Sequence, residues 1–386
     1  MKRRLPTIVV VFMSTLLSIH CYLLWKLVFA PKLSLVWQWS LSVLIGFLFL
    51  TLLSRLSLYR RIPKVLHSVH AYLAYCWLGM MFYLLCSFIL IDLVFILPSF
   101  AADDANMSIN NAYTKMILAI GLTSVVSLFS FWQAKRGPKI KTQNITLTKL
   151  PKNLSGFKIV QISDLHIGDI IQEAYIKNTV NLCNAQKPDL IVITGDLVDA
   201  PLEHVAHLAQ GLKQLSAKHG VYFVTGNHEY YAGAQAWMDY LQSLNIQTLH
   251  NTSVKITEGE DSFNLIGIDD ESGASFLPGH GPNLELAMQQ CHQDKVNILL
   301  AHQPKSIRAA EKHAVDLQLS GHTHNGQIWP FQFLVALDQP YLKGLYQHGQ
   351  TQIYVNPGTG FWGPPMRFYG RSEITSIQLL AKNMPK

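Results

Sequence analysis

Charged residues are scarce in this chain. Asp, Glu, Lys and Arg make up only 14% of its 386 residues, against about 25% in ordinary soluble domains, and its mean hydropathy is +0.18. With an apolar fraction of 49%, that deficit excludes a disordered or collagen-like chain. Cysteine is also rare. There are five, with no C-x-x-C pair, which excludes a disulfide framework or a thiolate-built structural zinc site and fits a reducing compartment. Acidic residues are nearly missing from one region only. Residues 1–141 hold 14 Lys/Arg and 3 Asp/Glu, a net of +11, whereas residues 142–386 hold 17 and 21, a net of −4. The overall charge of +7 therefore sits in the apolar part and reflects membrane topology, so no nucleic-acid partner is expected. No internal repeat and no P-loop G-x-x-x-x-G-K-[ST] occurs.

Long apolar runs are what the chain has in abundance. Four of them, at residues 7–25, 33–53, 72–97 and 116–134, reach the roughly 20 residues a helix needs to cross a bilayer. A cleaved signal peptide would account for the first alone. Lys2, Arg3 and Arg4 precede the first run, Arg55, Arg60, Arg61 and Lys64 separate the second from the third, and Lys135, Arg136, Lys139 and Lys141 follow the fourth. The alternate turns carry Lys26 and Lys32, then Asp103 and Asp104. The positive-inside rule puts both ends on the cytoplasmic side of an inner (plasma) membrane crossed several times. Asp92 falls inside the third run. With no ionisable partner expected from the other runs, it reads as a carboxylate near the outer end that reaches the headgroups. Residues 1–135 read as an anchor.

A polar stretch at 136–154, with Pro138 and Pro151, reads as a linker to a domain at 155–380, long enough for its own core. Short apolar runs at 157–162, 190–194, 221–225, 263–268, 296–301 and 317–320 read as strands, with a last strand near 374–380. Amphipathic stretches at 173–185, 202–217, 234–244, 284–291 and 305–312 read as helices. The alternation predicts an α/β layered domain.

Five strand ends carry polar clusters. They are Ser163-Asp164-Leu165-His166, Gly195-Asp196-Leu197-Val198-Asp199, Gly226-Asn227-His228-Glu229, Ala301-His302-Gln303 and Gly321-His322-Thr323-His324. Carboxyl ends of strands in an α/β sheet line one crevice, so these clusters can converge. Carboxylates, an amide carbonyl and imidazoles suit borderline divalent ions such as Mn, Fe, Zn, Co or Ni. Two ions need seven or eight such groups with one carboxylate shared. The clusters supply Asp164, His166, Asp196, Asn227, His302, His322 and His324, with Asp196 as the natural bridge. A lone D-x-H carries no weight, whereas 24 Gly and 16 His in 386 residues give only about 0.04 expected G-H-x-H matches.

Other residues divide between a functional and a plain reading. Asp199 serves equally as an orienter of a ligand histidine or as a helix N-cap, and Glu229 equally as a support for His228 or as a helix start. Asp269-Asp270-Glu271 reads as a solvated acidic turn, and His204, His207, His219, His250, His280, His292, His313 and His348 stay in the background. In the segment 360–371, either Arg367 holds a substrate phosphate while Phe361 and Trp362 touch lipid, or the whole is an apolar plug.

The ordered set D-x-H, G-D-x-x-D, G-N-H-E, H and G-H-x-H resembles that of the calcineurin-like metallophosphoesterase superfamily, over about residues 155–380. With S-D-L-H at the start and G-H-T-H-x-G-Q at the end, it is most similar to the membrane-associated bacterial subgroup. There Gly usually stands where this chain has Asn325, a loop position that bears on pocket shape. A related branch includes the UDP-diacylglucosamine pyrophosphatases. The resemblance implies two stacked mixed β-sheets flanked by helices, here preceded by four transmembrane helices. It implies one ion on Asp164, His166, Asp196 and His324, a second on Asp196, Asn227, His302 and His322, and His228 as the catalytic proton donor. The implied activity is hydrolysis of phosphate ester or pyrophosphate bonds through a metal-bridging hydroxide. With the anchor, the expectation extends to a lipid-linked substrate such as UDP-diacylglucosamine. A metal-binding scaffold or sensor module at the membrane, without hydrolysis, stays open as the alternative.

Overall fold

The computed structural model describes residues 4–57, 62–99, 111–292 and 294–382. They form two compact units, Met1–Trp132 with Gly363–Met366, and Gln133–Trp362 with Arg367–Lys386. In the first, each expected apolar run coincides with one long helical segment, the second starting two residues before its helix. These are α1 (Arg4–Leu24), continued by a π-helical turn at Trp25–Phe29, then α2 (Leu35–Ser57), α3 (His67–Ser99) and α4 (Ala112–Lys135). All four spans are long and apolar enough to cross a membrane. They are apolar on every side. Leu23, Val28, Trp77 and Phe88 bury against one another, while Trp37, Val43 and Val125 point outward, an exposure that lipid accommodates and water does not. Arg60, Arg61, Asp103 and Asp104, on which the expected orientation partly rests, lie outside the described residues, as do Lys2 and Arg3.

Asp92 corrects one expectation. It is not without partners: Lys26 Nζ lies 2.5 Å from one carboxylate oxygen and Lys115 Nζ 3.3 Å from the other. Both lysines stand at span ends, from which their long side chains reach a carboxylate one turn or more inside.

The second unit contains twelve strands: β1 (Lys139–Leu147), β2 (Lys158–Ile162), β3 (Leu190–Thr194), β4 (Val221–Val224), β5 (Ile246–Thr248), β6 (Thr252–Glu258), β7 (Asp261–Gly267), β8 (Asn297–Leu300), β9 (Leu317–Ser320), β10 (Gly344–His348), β11 (Thr351–Val355) and β12 (Glu373–Ala381). They form two six-stranded sheets, ordered β1-β12-β2-β3-β4-β5 and β10-β11-β9-β8-β7-β6. Both sheets are mixed. β2 to β5 run parallel, with β12 antiparallel to β2. β7, β8, β9 and β11 run parallel, with β6 and β10 antiparallel at the two edges. This is the expected sandwich.

Period-two alternation builds its layers. Along β2 and β3, Ile159, Leu190 and Val192 face a core shared with Leu265, Ile298, Leu300 and Leu319 of the other sheet. Their neighbours Val160, Ile191 and Ile193 face outward onto α5 (Glu173–Ala185) through Ile176 and Val180. The same layer meets α6 (Leu202–Ala209) through Val205, and Trp237 and Leu241 further along the chain. One segment departs from expectation. The stretch taken as a linker contains β1, paired in parallel with β12 along its full length. β1 lies at a sheet edge and alternates exposed with buried residues, so its composition is that of a polar connector.

Candidate metal centre

The strand ends do converge. Asp164 and His166 follow β2, Asp196 follows β3, His302 follows β8, and His322 and His324 follow β9. Asn227 and His228 begin a two-turn helix, α7 (Asn227–Ala232), directly after β4. Three groups of side chains each bring one ligand-type atom within 4.8 Å of the others. They are Asp164 with His166 and His324, His166 with Asp196 and His228, and Asp196 with His302 and His322. Shared members join the three into one centre. Nε2 of His166 lies 2.9 Å from Nε2 of His324, which stands 3.4 Å from Asp164 Oδ1. On the other side, His302 Nε2 lies 3.2 Å from His322 Nδ1 and 3.2 Å from Asp196 Oδ2. That same oxygen is 4.0 Å from Nε2 of His166, so Asp196 stands between the two halves.

The backbone reaches this arrangement at a cost. Asp164, His166, Asp196, His322 and His324 all have φ between 48° and 69°, the left-handed region that side-chain-bearing residues avoid. Two glycines let the loops close. A Cβ at Gly226 would collide with Asp196 Oδ1, and one at Gly321 would collide with Ser163 Oγ and Asp164 Oδ2. Asn325 is also left-handed, at φ 52° and ψ 34°. That explains why Asn replaces the subgroup's usual Gly, because Asn is among the few other residues that tolerate the conformation.

Two carboxylates left open by the sequence acquire definite partners. Asp199 Oδ1 accepts from Nδ1 of His166 at 2.6 Å and from Nδ1 of His228 at 2.7 Å, which leaves both Nε2 atoms facing the centre. Glu229 is fully buried. Its Oε1 accepts from the amides of Leu197 and Val198, and its Oε2 from those of Asp196 and Gly226. One side chain thus ties the β3 loop to the β4 loop and closes the start of α7.

The electrostatics are those of titratable groups crowded together in a buried site. Burial opposes a charge on His228, but the carboxylates of Asp196 and Asp199 outweigh it and push its pKa up to about 9. Burial, aided by His302, drives His322 down to about 4. Burial and the charge of Asp196 raise Glu229 to about 7, against its backbone donors. Asn227 Oδ1 is buried and meets no hydrogen-bond partner among the described residues. A buried carbonyl oxygen without a donor, on the residue just before His228, is of a kind that suits a divalent cation.

Arg367 stands apart from the expected substrate contact. It is 1% exposed, and its Nε and Nη2 atoms donate to the carbonyls of Gly360 and Pro357, with Nη2 also 3.1 Å from His324 Nδ1. A guanidinium committed to backbone acceptors braces the loop behind His324, and it does not reach out to a phosphate. Phe361 is likewise buried, edge-on to Tyr175, whereas Trp362 is exposed with its ring 6.2 Å from that of His228. The sequence missed the rest of this margin: Tyr231, 5.3 Å from His228, and Phe276, 5.3 Å from Tyr231, are both exposed. Of the acidic turn only Glu271 is exposed to solvent. Asp269 and Asp270 are each 2% exposed, and Asp270 accepts from Gln303 Nε2 and the Ser272 amide.

Known proteins resemble this chain over the region that bears the centre. A family model described as calcineurin-like phosphoesterase matches residues 157–326. A Danio rerio protein named "Transmembrane protein with metallophosphoesterase domain" is 38% identical over 287 residues, covering 72% of this chain and 65% of its own length. A protein of Helicobacter pylori named as a metallophosphoesterase is 43% identical over 255 residues, 66% of this chain and 67% of its own. One of the same designation from Aquifex aeolicus is 32% identical over 248 residues, 63% of this chain and 92% of its own. The chain therefore spans about two thirds of the first two relatives. It belongs to the calcineurin-like phosphoesterases, as a membrane-associated, metal-dependent phosphohydrolase.

Proposed function

We propose that the centre holds two divalent ions and hydrolyses a phosphate ester or pyrophosphate bond in a lipid-linked substrate, at the cytoplasmic face of the inner membrane. One ion is held by Asp164, His166, Asp196 and His324, the other by Asp196, Asn227, His302 and His322. The observation that carries this reading is the position of Asp196, whose carboxylate belongs to two separate ligand groups. When bound, such ions supply Lewis acidity and bring the pKa of a coordinated water near neutrality.

The chain's own residues do the rest. The ligand set carries two carboxylates, so two divalent ions leave a net charge of about +2 to receive a phosphate. His228 sits at the margin, its Nδ1 fixed by Asp199 and its Nε2 turned inward. The carboxylates of Asp196 and Asp199 raise its pKa against the opposing effect of burial, which favours the protonated form a donor needs. It therefore gives the Nε2 proton to the departing oxygen, a role worth about 10²–10⁴-fold. Trp362, Tyr231 and Phe276 offer an exposed apolar edge beside it, which favours a substrate with an apolar part.

Full-length protein in detergent with Mn²⁺ is assayed on bis-p-nitrophenyl phosphate, UDP-diacylglucosamine and phospholipids, beside Asp196→Asn and His228→Ala. Hydrolysis lost in both variants is expected, with preference for the lipid-linked compounds. Equal activity in Asp196→Asn overturns the shared-carboxylate centre. Preference for soluble nucleotides, unchanged on deleting residues 1–140, overturns the lipid reading alone.

A further inference from the structure

A second convergence of metal-type ligands lies outside the centre described above. His250 follows β5, Asp269 follows β7, and His280 sits on the connection after α9 (Gly273–Phe276), once α8 (Ala234–Ser243) has been passed in the chain. One ligand-type atom of each lies within 4.8 Å of the other two. His250 Nδ1 is 2.7 Å from Asp269 Oδ1, and His280 Nδ1 is 3.4 Å from Oδ2. The two rings stand 4.4 Å apart at 35°. His280 is flanked by Gly279 and Gly281, both at positive φ, which turn the connection back toward Asp269.

Two features ask for a cation here. The Asp269 side chain is fully buried, and its ion-pair partners among the described residues are these two imidazoles. A buried carboxylate needs a compensating charge, and a cation shared by all three side chains supplies it. The other donors to it, the Gly281 amide and Asn251 Nδ2, carry no charge. The second feature is access. The His250 side chain is 43% exposed, so an ion has an entry path and water has room to complete its coordination.

The geometry points to a third, mononuclear site for a borderline divalent cation such as Zn²⁺, Co²⁺ or Ni²⁺, held by His250, Asp269 and His280. Two imidazoles and one carboxylate leave coordination positions for water. The site has a structural consequence for its surroundings. His280 is on the same connection as Phe276, and Phe276 packs against Tyr231, which packs against His228. Tyr230, next in sequence, places its hydroxyl 3.1 Å from His280 Nδ1 and 3.2 Å from Thr225 Oγ1. When the ring nitrogen is taken by the ion, that hydroxyl has Thr225 as its remaining partner. An ion here fixes the aromatic edge beside the main centre to the ends of β5 and β7.

The test counts metal and does not depend on hydrolysis. Full-length protein in detergent is loaded with Co²⁺, desalted and its cobalt measured, for wild type and for H250Q/H280Q, each also combined with Asp196→Asn. One equivalent fewer per chain is expected in H250Q/H280Q, in both backgrounds, so failure of the main centre and failure of this site are distinguishable. Equal cobalt with and without the histidine pair overturns the site and leaves a hydrogen-bonded loop. If the double variant does not fold, His250→Gln alone is titrated with Co²⁺. Weakening of the separable equivalent by about 100-fold is expected for a lost ligand, and unchanged affinity overturns the proposal.

Discussion

Glu229→Gln isolates a side chain that ties two loops of the candidate metal centre together without being one of its ligands. Each carboxylate oxygen accepts two amides, at 2.7 and 3.2 Å on Oε1 and at 3.0 and 2.6 Å on Oε2. Glutamine has the same shape but only one acceptor oxygen. Whichever way the amide turns, its NH₂ group faces two backbone N–H donors, either Leu197 and Val198 or Asp196 and Gly226. Two buried donors then lack an acceptor, at about 1–3 kcal/mol each. Removing the charge relieves the burial penalty and the repulsion from Asp196 that together raise the Glu229 pKa to about 7, and this offsets part of the cost. A net loss of about 2–4 kcal/mol results. For a domain of this size that lowers Tm by about 5–15 °C. The assay is thermal melting of the full-length protein, with metal content measured on the same samples. Asp196 and Asn227 lie on the two loops that separate, so bound metal falls together with Tm. A Glu229→Gln protein that melts within about 2 °C of wild type and keeps its metal would refute the reasoning.

Four further outcomes follow from named contacts. Asp199→Ala removes the one oxygen that accepts from both His166 and His228, so metal affinity or turnover falls about 10–100-fold, seen as metal dependence of the rate. Gly321→Ala drives a methyl group into Ser163 and Asp164, which costs about 1–3 kcal/mol in denaturant unfolding and lowers metal content. Asn325→Ala costs about 1–2 kcal/mol because alanine resists the left-handed conformation at φ 52°, whereas Asn325→Gly stays near wild type in the same melts. Metal binding needs deprotonated ligands, so chelator competition shows affinity falling as pH drops from neutral, with protons released on loading.

The sequence showed the candidate ligands because each metal-type cluster ends a recognisable apolar strand. Asp164, Asp196, Asn227, His302, His322 and His324 could be found from that position alone, and the fold they imply is the one observed. What it withheld depends on partners far along the chain. The run Asp269-Asp270-Glu271 has the composition of a solvated turn. Its two aspartates are buried, Asp269 because the connection bearing His280 and Gly281 folds over it, and nothing local signals that cover. Asp92 looked unpaired because its partners Lys26 and Lys115 belong to other spans, and apolar runs do not encode which helices adjoin. β1 passed for a linker because an edge strand shares a linker's polarity, and its pairing with β12 joins residues more than two hundred positions apart.

The ligand turns themselves run against local propensity, and that is informative. A sequence specifies its fold when local preference and tertiary structure agree, and the expected exceptions are functional sites. Here the exceptions coincide with the ligands: five of the seven candidates have left-handed backbones. At about 1–2 kcal/mol for each such residue, the strain is of order 5–10 kcal/mol. That is comparable with the net stability of a domain. It persists because the surroundings over-determine it. Glu229 accepts the amide of Asp196, Asp164 accepts the amide of His322 through both oxygens, and the amide of His166 bonds the Asp196 carbonyl. Each restraint fixes one strained ligand through another segment, so the cost is shared between the two sheets. A loop under that constraint holds its donors in place before any ion arrives, which is the preorganisation a metal centre needs.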